Sequence, residues 1–268
     1  MSEALSAWAA SHAGTTRANN QDTFLIRSDL GLWAVADGAG GHGGGEIASA
    51  AVADALRGLP AGLSAGELLG RVRMALHDTN AALRAEAEAR GPRAMLASTV
   101  VALLVRDGHF ACLWAGDSRC YLWRGGVLAC ITRDHSLVQE LVDRGEITEE
   151  AAERHPQANV VTRAIGADDA LALDKATGAV QMGDLFVLVS DGVSKALDAR
   201  VLGDMLAAAD GQALADALIA LAMTRGSTDN VTALVVRCGR PRAAGAGRQE
   251  DTIRREEGSL GLRPAARD

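Results

Sequence analysis

"ASTVVALLVRDGHFACLWAGDSRCYLWRGGVLACITRD", residues 97–134, places four apolar runs one after another. Asp107-Gly108 and Gly125-Gly126 punctuate them as hairpin turns, so the segment reads as strands in quick succession. Upstream, "SAWAASHAG" (6–14), "DTFLIRSD" (22–29) and "GLWAVAD" (31–37) read as three further strands, the last apolar enough to be buried on both faces. Two helices separate the groups. Residues 45–59 carry a stripe of Ile47, Ala51, Ala55 and Leu59, and residues 64–89 carry Leu68, Val72, Leu76, Thr79 and Leu83. Ser64 with Glu67 forms a capping box at the start of the second. Three strands, two helices and four strands do not make the alternation of a doubly wound sheet. They predict an α+β fold with antiparallel sheets and helices packed outside them.

Downstream, 136–145 and 148–155 are helical, and 156–178 is read as irregular. "DLFVLVSDG" (184–192) is a buried strand, two amphipathic helices fill 198–225, and "NVTALVVRCG" (230–239) is the last strand. After Arg240 the periodicity disappears. The domain is expected over 1–239, with 240–268 a disordered tail carrying a turn of helix around Arg254.

The chain has 268 residues, 48% of them hydrophobic, and a formal net charge of −7, which gives no basic field for nucleic acid. The start "MSEALSAWAASHAG" lacks the pattern of an export signal, and no apolar run approaches the ~18 residues of a membrane span. Cys112, Cys120, Cys130 and Cys238 form no C-x-x-C pair, which points to free thiols rather than zinc and to a cytoplasmic protein. A thiol nucleophile with Arg six residues on is absent: Cys112 reaches Arg only at Arg119, one position too far.

"VADGAGGHGGGEIASAAVADAL" (35–56) fits the glycine spacing G-x-G-x-x-G of a dinucleotide turn. Asp37 directly before the glycines would repel a pyrophosphate, and the nearest acid for a ribose, Asp54, lies within the following helix. The nucleotide reading fails. What the stretch shares with the rest of the chain is a carboxylate at the end of an apolar strand. Asp37 and Asp191 each end such a strand before a glycine, Asp117 ends "HFACLWAG", and Asp229 precedes "NVTALVV". Converging carboxylates repel one another unless a hard divalent cation lies among them, and oxygen-only ligands suit Mg2+ or Mn2+.

The segments "TRANNQD" (16–22), "VADGAGGHGGGEIAS" (35–49), "AGDSRCYLWRGG" (115–126), "TRDHSLVQELVDRGEIT" (132–148), "NVVTRAIG" (159–166), "DLFVLVSDGV" (184–193) and "STDNVTALVV" (227–236) occur in the order of one family. Over residues 6–239 the chain resembles the bacterial metal-dependent serine/threonine protein phosphatases of type 2C. Within them "DGAGGHGGGE" is most like the stand-alone members associated with type VI secretion. The resemblance implies a four-layer αββα sandwich, two antiparallel sheets flanked by helix pairs. It implies hydrolysis of phosphoserine and phosphothreonine by a metal-bridged hydroxide, without a phosphoenzyme. Two core Mn2+ or Mg2+ ions and a third, weaker ion go with it. By motif position Asp37 bridges the core ions, Asp191 and Asp229 complete the first, and the Gly38 carbonyl binds the second. Asp117 with Asp191 holds the third ion, Arg17 binds the phosphate, Asp22 supports metal-bound waters, and 144–166 forms a mobile flap.

The expected partners are phosphorylated proteins, in particular a serine/threonine kinase, its substrates and a forkhead-associated scaffold. Neither nucleic acid nor membrane is expected, and the protein is expected to be a monomer. The alternative is a catalytically weak, phosphoprotein-binding regulator on the same fold. The chain also departs from the family's animal members. Gln21 stands for a metal-binding Glu, so the second ion leans more on water, and Ala39 stands for a His proposed as general acid. His42 does not inherit that role. His135 is expected to hold local structure, as are Ser118, Ser190 and Ser194.

Overall fold

The computed structural model describes residues 5–41, 43–239 and 254–256. The elements run β1 (Leu5–His12), β2 (Asp22–Arg27), β3 (Leu32–Ala39), α1 (Gly44–Arg57), α2 (Ala65–Arg90), β4 (Ala97–Ser98), β5 (Val100–Arg106) and β6 (His109–Ala115). They continue with β7 (Arg119–Arg124), β8 (Val127–Cys130), α3 (Leu137–Asp143), α4 (Glu149–Glu153), β9 (Asp174–Ala179) and β10 (Leu185–Val189). Then follow α5 (Asp191–Ser194), α6 (Ala199–Ala208), α7 (Gly211–Thr224), β11 (Val231–Cys238) and β12 (Arg254–Glu256).

One sheet has the order β1-β11-β10-β7-β8 and the other β12-β9-β6-β5-β3-β2, with β4 paired to β3. All pairings are antiparallel. The pleat explains why the central strands are apolar throughout. On β3, Trp33 and Val35 enter the layer between the sheets, whereas Leu32, Ala34 and Ala36 face α1 and α2. On β10, Phe186 and Leu188 enter the same inner layer, and Leu185, Val187 and Val189 pack under α6 and α7. Each sheet is thus covered on both faces, which gives the expected four-layer αββα sandwich. Phe110 and Phe186 meet edge to face across the inner layer with centroids 5.1 Å apart.

The helices follow the sequence closely. Ser64 caps α2, accepting from the Glu67 amide at 3.3 Å while its own amide donates to Glu67 Oε2 at 2.8 Å. Leu68, Val72, Leu76, Thr79 and Leu83 are its buried face. In α1 the buried stripe is Ala48, Val52 and Leu56, one residue on from the expected Ile47–Ala51–Ala55, and Leu59 lies beyond the helix end. Ile47 and Ala51 are only partly buried against that core.

Two expectations need correction. Residues 174–178, the end of the stretch read as irregular, belong to strand β9, which pairs with β6 along its whole length. Gly178 is required there, because a Cβ would lie 2.7 Å from the Phe110 ring. The turn of helix expected around Arg254 is instead strand β12, with Arg254, Arg255 and Glu256 opposite Thr177, Ala176 and Lys175. The rest of the expected tail, 240–253 and 257–268, lies outside the described residues, as does His42. Among the described residues no helix is long and apolar enough to cross a membrane. No disulfide joins the four cysteines among the described residues, and Cys112, Cys120 and Cys238 are buried.

Candidate active site

The chain passes from one sheet to the other at Gly116–Ser118, between β6 and β7, and Asp117 sits in that crossing. Asp22 and Asp37 are cross-strand partners on β2 and β3. Asp191, expected to end the strand, instead opens α5 one residue beyond β10, with Ser190 as the N-cap, and Asp229 precedes β11, the neighbour of β10. Strand ends from both sheets therefore bring these carboxylates to one end of the sandwich, close enough that Asp191 raises the pKa of Asp22, Asp37 and Asp117, and Asp229 that of Asp22. Asp37 lies two residues inside β3 rather than at its end, because β4 prolongs the pairing to Ala39.

The surrounding polar groups fix this arrangement. Ser190 Oγ and Thr232 Oγ1 both donate to Asp22 Oδ2 at 2.7 Å, tying the two sheets together through one carboxylate. Hydrogen bonds to a charged group of this kind contribute about 1.5–3 kcal/mol. The Asp37 backbone is braced by Thr99, whose amide donates to the Asp37 carbonyl at 2.8 Å, and Thr99 Oγ1 lies 2.8 Å from Ser118 Oγ beside Asp117. Asn230 uses its whole amide. It accepts from the Gln21 backbone at 2.8 Å and donates to the carbonyls of Ala13 and Asn19, fastening the 13–21 loop to the start of β11. Gln21 Nε2 reaches the Gly40 carbonyl at 3.5 Å. Ala39, the other departure, is exposed at the end of β3.

The glycines after Asp37 serve close backbone approach. A Cβ on Gly38 would lie 2.0 Å from the Gly45 carbonyl oxygen, and one on Gly45 would lie 2.6 Å from the Gly38 carbonyl oxygen. Only hydrogen at both positions lets the first turn of α1 rest on the strand that carries Asp37. Of the three spaced glycines, Gly38 answers to this packing, Gly40 to the Met95 carbonyl 2.4 Å from where its Cβ would lie, and Gly43 to its left-handed φ of 80° before α1.

Burial, reinforced by the charges of Asp22, Asp191 and Asp117, holds the Asp37 carboxyl well above the usual range. Burial likewise pushes Asp22 up to about 6 against the opposing hydroxyls of Thr232 and Ser190, with Asp191 and Asp229 adding to the rise. Asp117 is pushed up to about 7 by burial and by Asp191, with Lys195 opposing. Carboxylates this close repel one another, and positive charge placed among them relieves that repulsion. Two buried oxygens, Asp22 Oδ1 and Asp191 Oδ1, have no hydrogen-bond partner. Among the described residues no three acidic, histidine or cysteine side chains close a cage by themselves. A hard cation that completes its shell with water and a backbone carbonyl fits such an open, all-oxygen set.

Two side chains supply positive charge at the edge. Arg17 Nη2 donates to Asp229 Oδ2 at 2.8 Å, and that bond raises the Arg17 pKa further. Lys195 Nζ lies 2.5 Å from Asp191 Oδ2, 3.7 Å from Asp117 Oδ2 and 2.8 Å from Asn159 Oδ1. His135 is buried and structural, as expected. Its Nδ1 accepts from the Gly116 amide at 3.2 Å, its backbone amide donates to the Gly116 carbonyl at 2.9 Å, and its ring stacks on Trp114. With Nδ1 an acceptor, Nε2 carries the hydrogen towards Asp174 Oδ2, 3.3 Å away, and this bond lowers the Asp174 pKa. His135 thereby fixes the turn that carries Asp117. Ser118 and Ser190 are spent on internal hydrogen bonds, and Ser194 Oγ donates to the Asp191 carbonyl at 3.4 Å.

Sequence reasoning missed Asn230, Thr232, Thr99, Asn159 and Lys195. Asn230 and Thr232 lie within "STDNVTALVV" and Asn159 opens "NVVTRAIG", whereas Thr99 and Lys195 fall outside the segments shared with the family.

Residues 10–223 match the family described as protein phosphatase 2C, and the chain belongs to that family. The chain is 36% identical over 230 residues to the serine/threonine protein phosphatase PstP of Mycobacterium tuberculosis, covering 85% of this chain and 44% of PstP. It thus spans about half the length of this curated relative. Among solved structures, PppA, described as a key regulatory component of T6SS in Pseudomonas aeruginosa, is 44% identical with a TM-score of 0.81. The match covers 87% of this chain and 97% of PppA. The catalytic domain of PstP, solved in complex with two manganese ions, is 34% identical with a TM-score of 0.78, covering 88% of this chain and 99% of that domain.

Proposed function

We propose that this chain is a protein serine/threonine phosphatase that hydrolyses phosphoserine and phosphothreonine with two divalent cations, Mn2+ or Mg2+, and without a phosphoenzyme. The observation that carries the reading is the convergence of Asp37, Asp191 and Asp229 from two sheets, with buried carboxylate oxygen left unpartnered. In this reading Asp37, Asp191 and Asp229 would hold the first ion, and Asp37 with the Gly38 carbonyl would hold the second. When bound, such ions neutralise the phosphate dianion and lower the pKa of water towards ~7.

The chain's own residues set the remaining conditions. Ser190 and Thr232 occupy Asp22 Oδ2, so Oδ1 is the atom left to accept a proton or a water hydrogen inside the cluster. The Arg17 guanidinium, half exposed beside Asp229 at the edge of the cluster, is placed to fork two oxygens of the substrate phosphate. Arg17→Ala should therefore raise KM about ten- to a hundredfold, from a lost charge-assisted contact of roughly 1.5–3 kcal/mol, with a smaller loss in kcat. Steady-state kinetics on a phosphothreonine peptide measures this, and a pure kcat loss would remove Arg17 from phosphate binding.

We assign the catalytic unit to residues 1–239 and place its work in the cytoplasm as a monomer. PppA's description supports a role beside type VI secretion. On this reading the phosphorylated partners are a serine/threonine kinase and a forkhead-associated scaffold, which rest on the sequence resemblance alone. The protein should strip phosphate from the autophosphorylated cognate kinase or from that scaffold. If both stay phosphorylated while a generic phosphothreonine peptide is cleaved, the secretion-linked assignment is wrong and the phosphatase assignment stands.

A further inference from the structure

Lys195 is one of only two lysines among 27 basic residues. The rest are arginines. Its ammonium is a compact point charge, unlike the broad planar fork of Arg. The backbone places it deliberately: Lys195 caps α5, its amide donates to the Asp191 carbonyl at 2.8 Å, and the i,i+4 spacing puts both side chains on one face. Nζ then lies 2.5 Å from Asp191 Oδ2 and 3.7 Å from Asp117 Oδ2. These are the two carboxylates that the family resemblance assigns to the third, weaker ion. Asp191 is thereby divided, Oδ2 to the lysine and the unpartnered Oδ1 to the interior of the cluster. The third contact of Nζ is Asn159 Oδ1 at 2.8 Å, in the 144–166 segment expected to be the flap.

We propose that the Lys195 ammonium is a tethered substitute for the third divalent cation: it neutralises the Asp117–Asp191 pair and fastens the flap to the active site through Asn159. This rests on the two-cation reading above. A third ion entering between Asp117 and Asp191 has to expel a positive charge already bonded to Asp191 and Asn159. Two ions saturate the site, and Lys195 is a positioning residue.

The test is calorimetric titration of Mn2+ into the chelated, full-length protein, compared with Lys195→Ala, Lys195→Met and the double variant Lys195→Ala/Asp117→Asn. Wild type should saturate at two ions. Both single variants should accept a third, about tenfold or more tighter than any third binding in wild type, as expected for removing one charge-assisted competitor. The double variant should lose it again. A third ion bound equally well with and without Lys195 overturns the proposal and leaves the phosphatase reading intact. Loss of all Mn2+ binding in both single variants also overturns it, because the lysine would then be holding the site together rather than filling it. Wild type that binds no Mn2+ overturns the two-cation reading itself.

Discussion

Asp37→Asn should lower turnover on the order of a thousandfold, equivalent to about 4 kcal/mol of transition-state stabilisation, while leaving the fold at least as stable. The two halves of this expectation come from different atoms. The backbone of Asp37 is held by Thr99 and Ser98, and those bonds survive an isosteric change. The side chain is the repelled member of a buried group containing Asp22, Asp191 and Asp117, so removing its charge relieves the metal-free protein. What the variant loses is the charge that would lie between two cations, and Mn2+ affinity should fall with turnover. Calorimetry beside steady-state kinetics checks both. Wild-type turnover and metal affinity in Asp37→Asn would show that the two-cation site is misplaced. Wild-type protein that binds phosphopeptide without turning it over would favour the regulator.

The second large effect is thermal. With Mn2+ at about 100 times Kd, each site adds about 2.7 kcal/mol to the folded state, and a chain of this size gains about 2–4 °C per kcal/mol. Two sites give a melting temperature on the order of 10–20 °C above that of the chelated protein at pH 8. The gap should narrow as pH falls. Asp22 near 6 and Asp117 near 7 lie above their ordinary 3.8, so the metal-free native state binds more protons than the unfolded chain between these values. Its stability therefore rises as pH falls from 8 through 7 and 6, and the gain is complete below the unfolded pKa. Metal binding, which needs ionised carboxylates, weakens over the same range. Differential scanning fluorimetry at pH 8 and pH 5.5 measures the gap, and a gap that widens on acidification would contradict this electrostatic account.

The four carboxylates were legible because each interrupts an apolar run that would otherwise end in an ordinary turn, and Asp37 and Asp191 share the following glycine. The sandwich was legible because β3, β5, β10 and β11 are apolar on both faces and no helix lies between β5, β6, β7 and β8. Strand β9 was not legible. "DKATGA" buries only Ala176, so its strand character comes from the β6 edge and from Phe110 above Gly178, which sequence period does not report. In α1 the run "EIASAAVADAL" offers small residues at neighbouring positions on the helix, and packing against β3 decides between stripes 100° apart. Lys195, Asn159 and Thr232 look like surface or strand residues in isolation. Their meaning comes from chain crossings of more than thirty residues, such as the 36 separating Lys195 from Asn159.

The most direct test of the central claim is the rate of p-nitrophenyl phosphate and phosphothreonine-peptide hydrolysis after exhaustive chelation, followed by stepwise return of Mn2+. A two-cation mechanism requires no turnover in the chelated protein and recovery on both substrates that saturates with the second ion bound. Full activity in the chelated protein would contradict it.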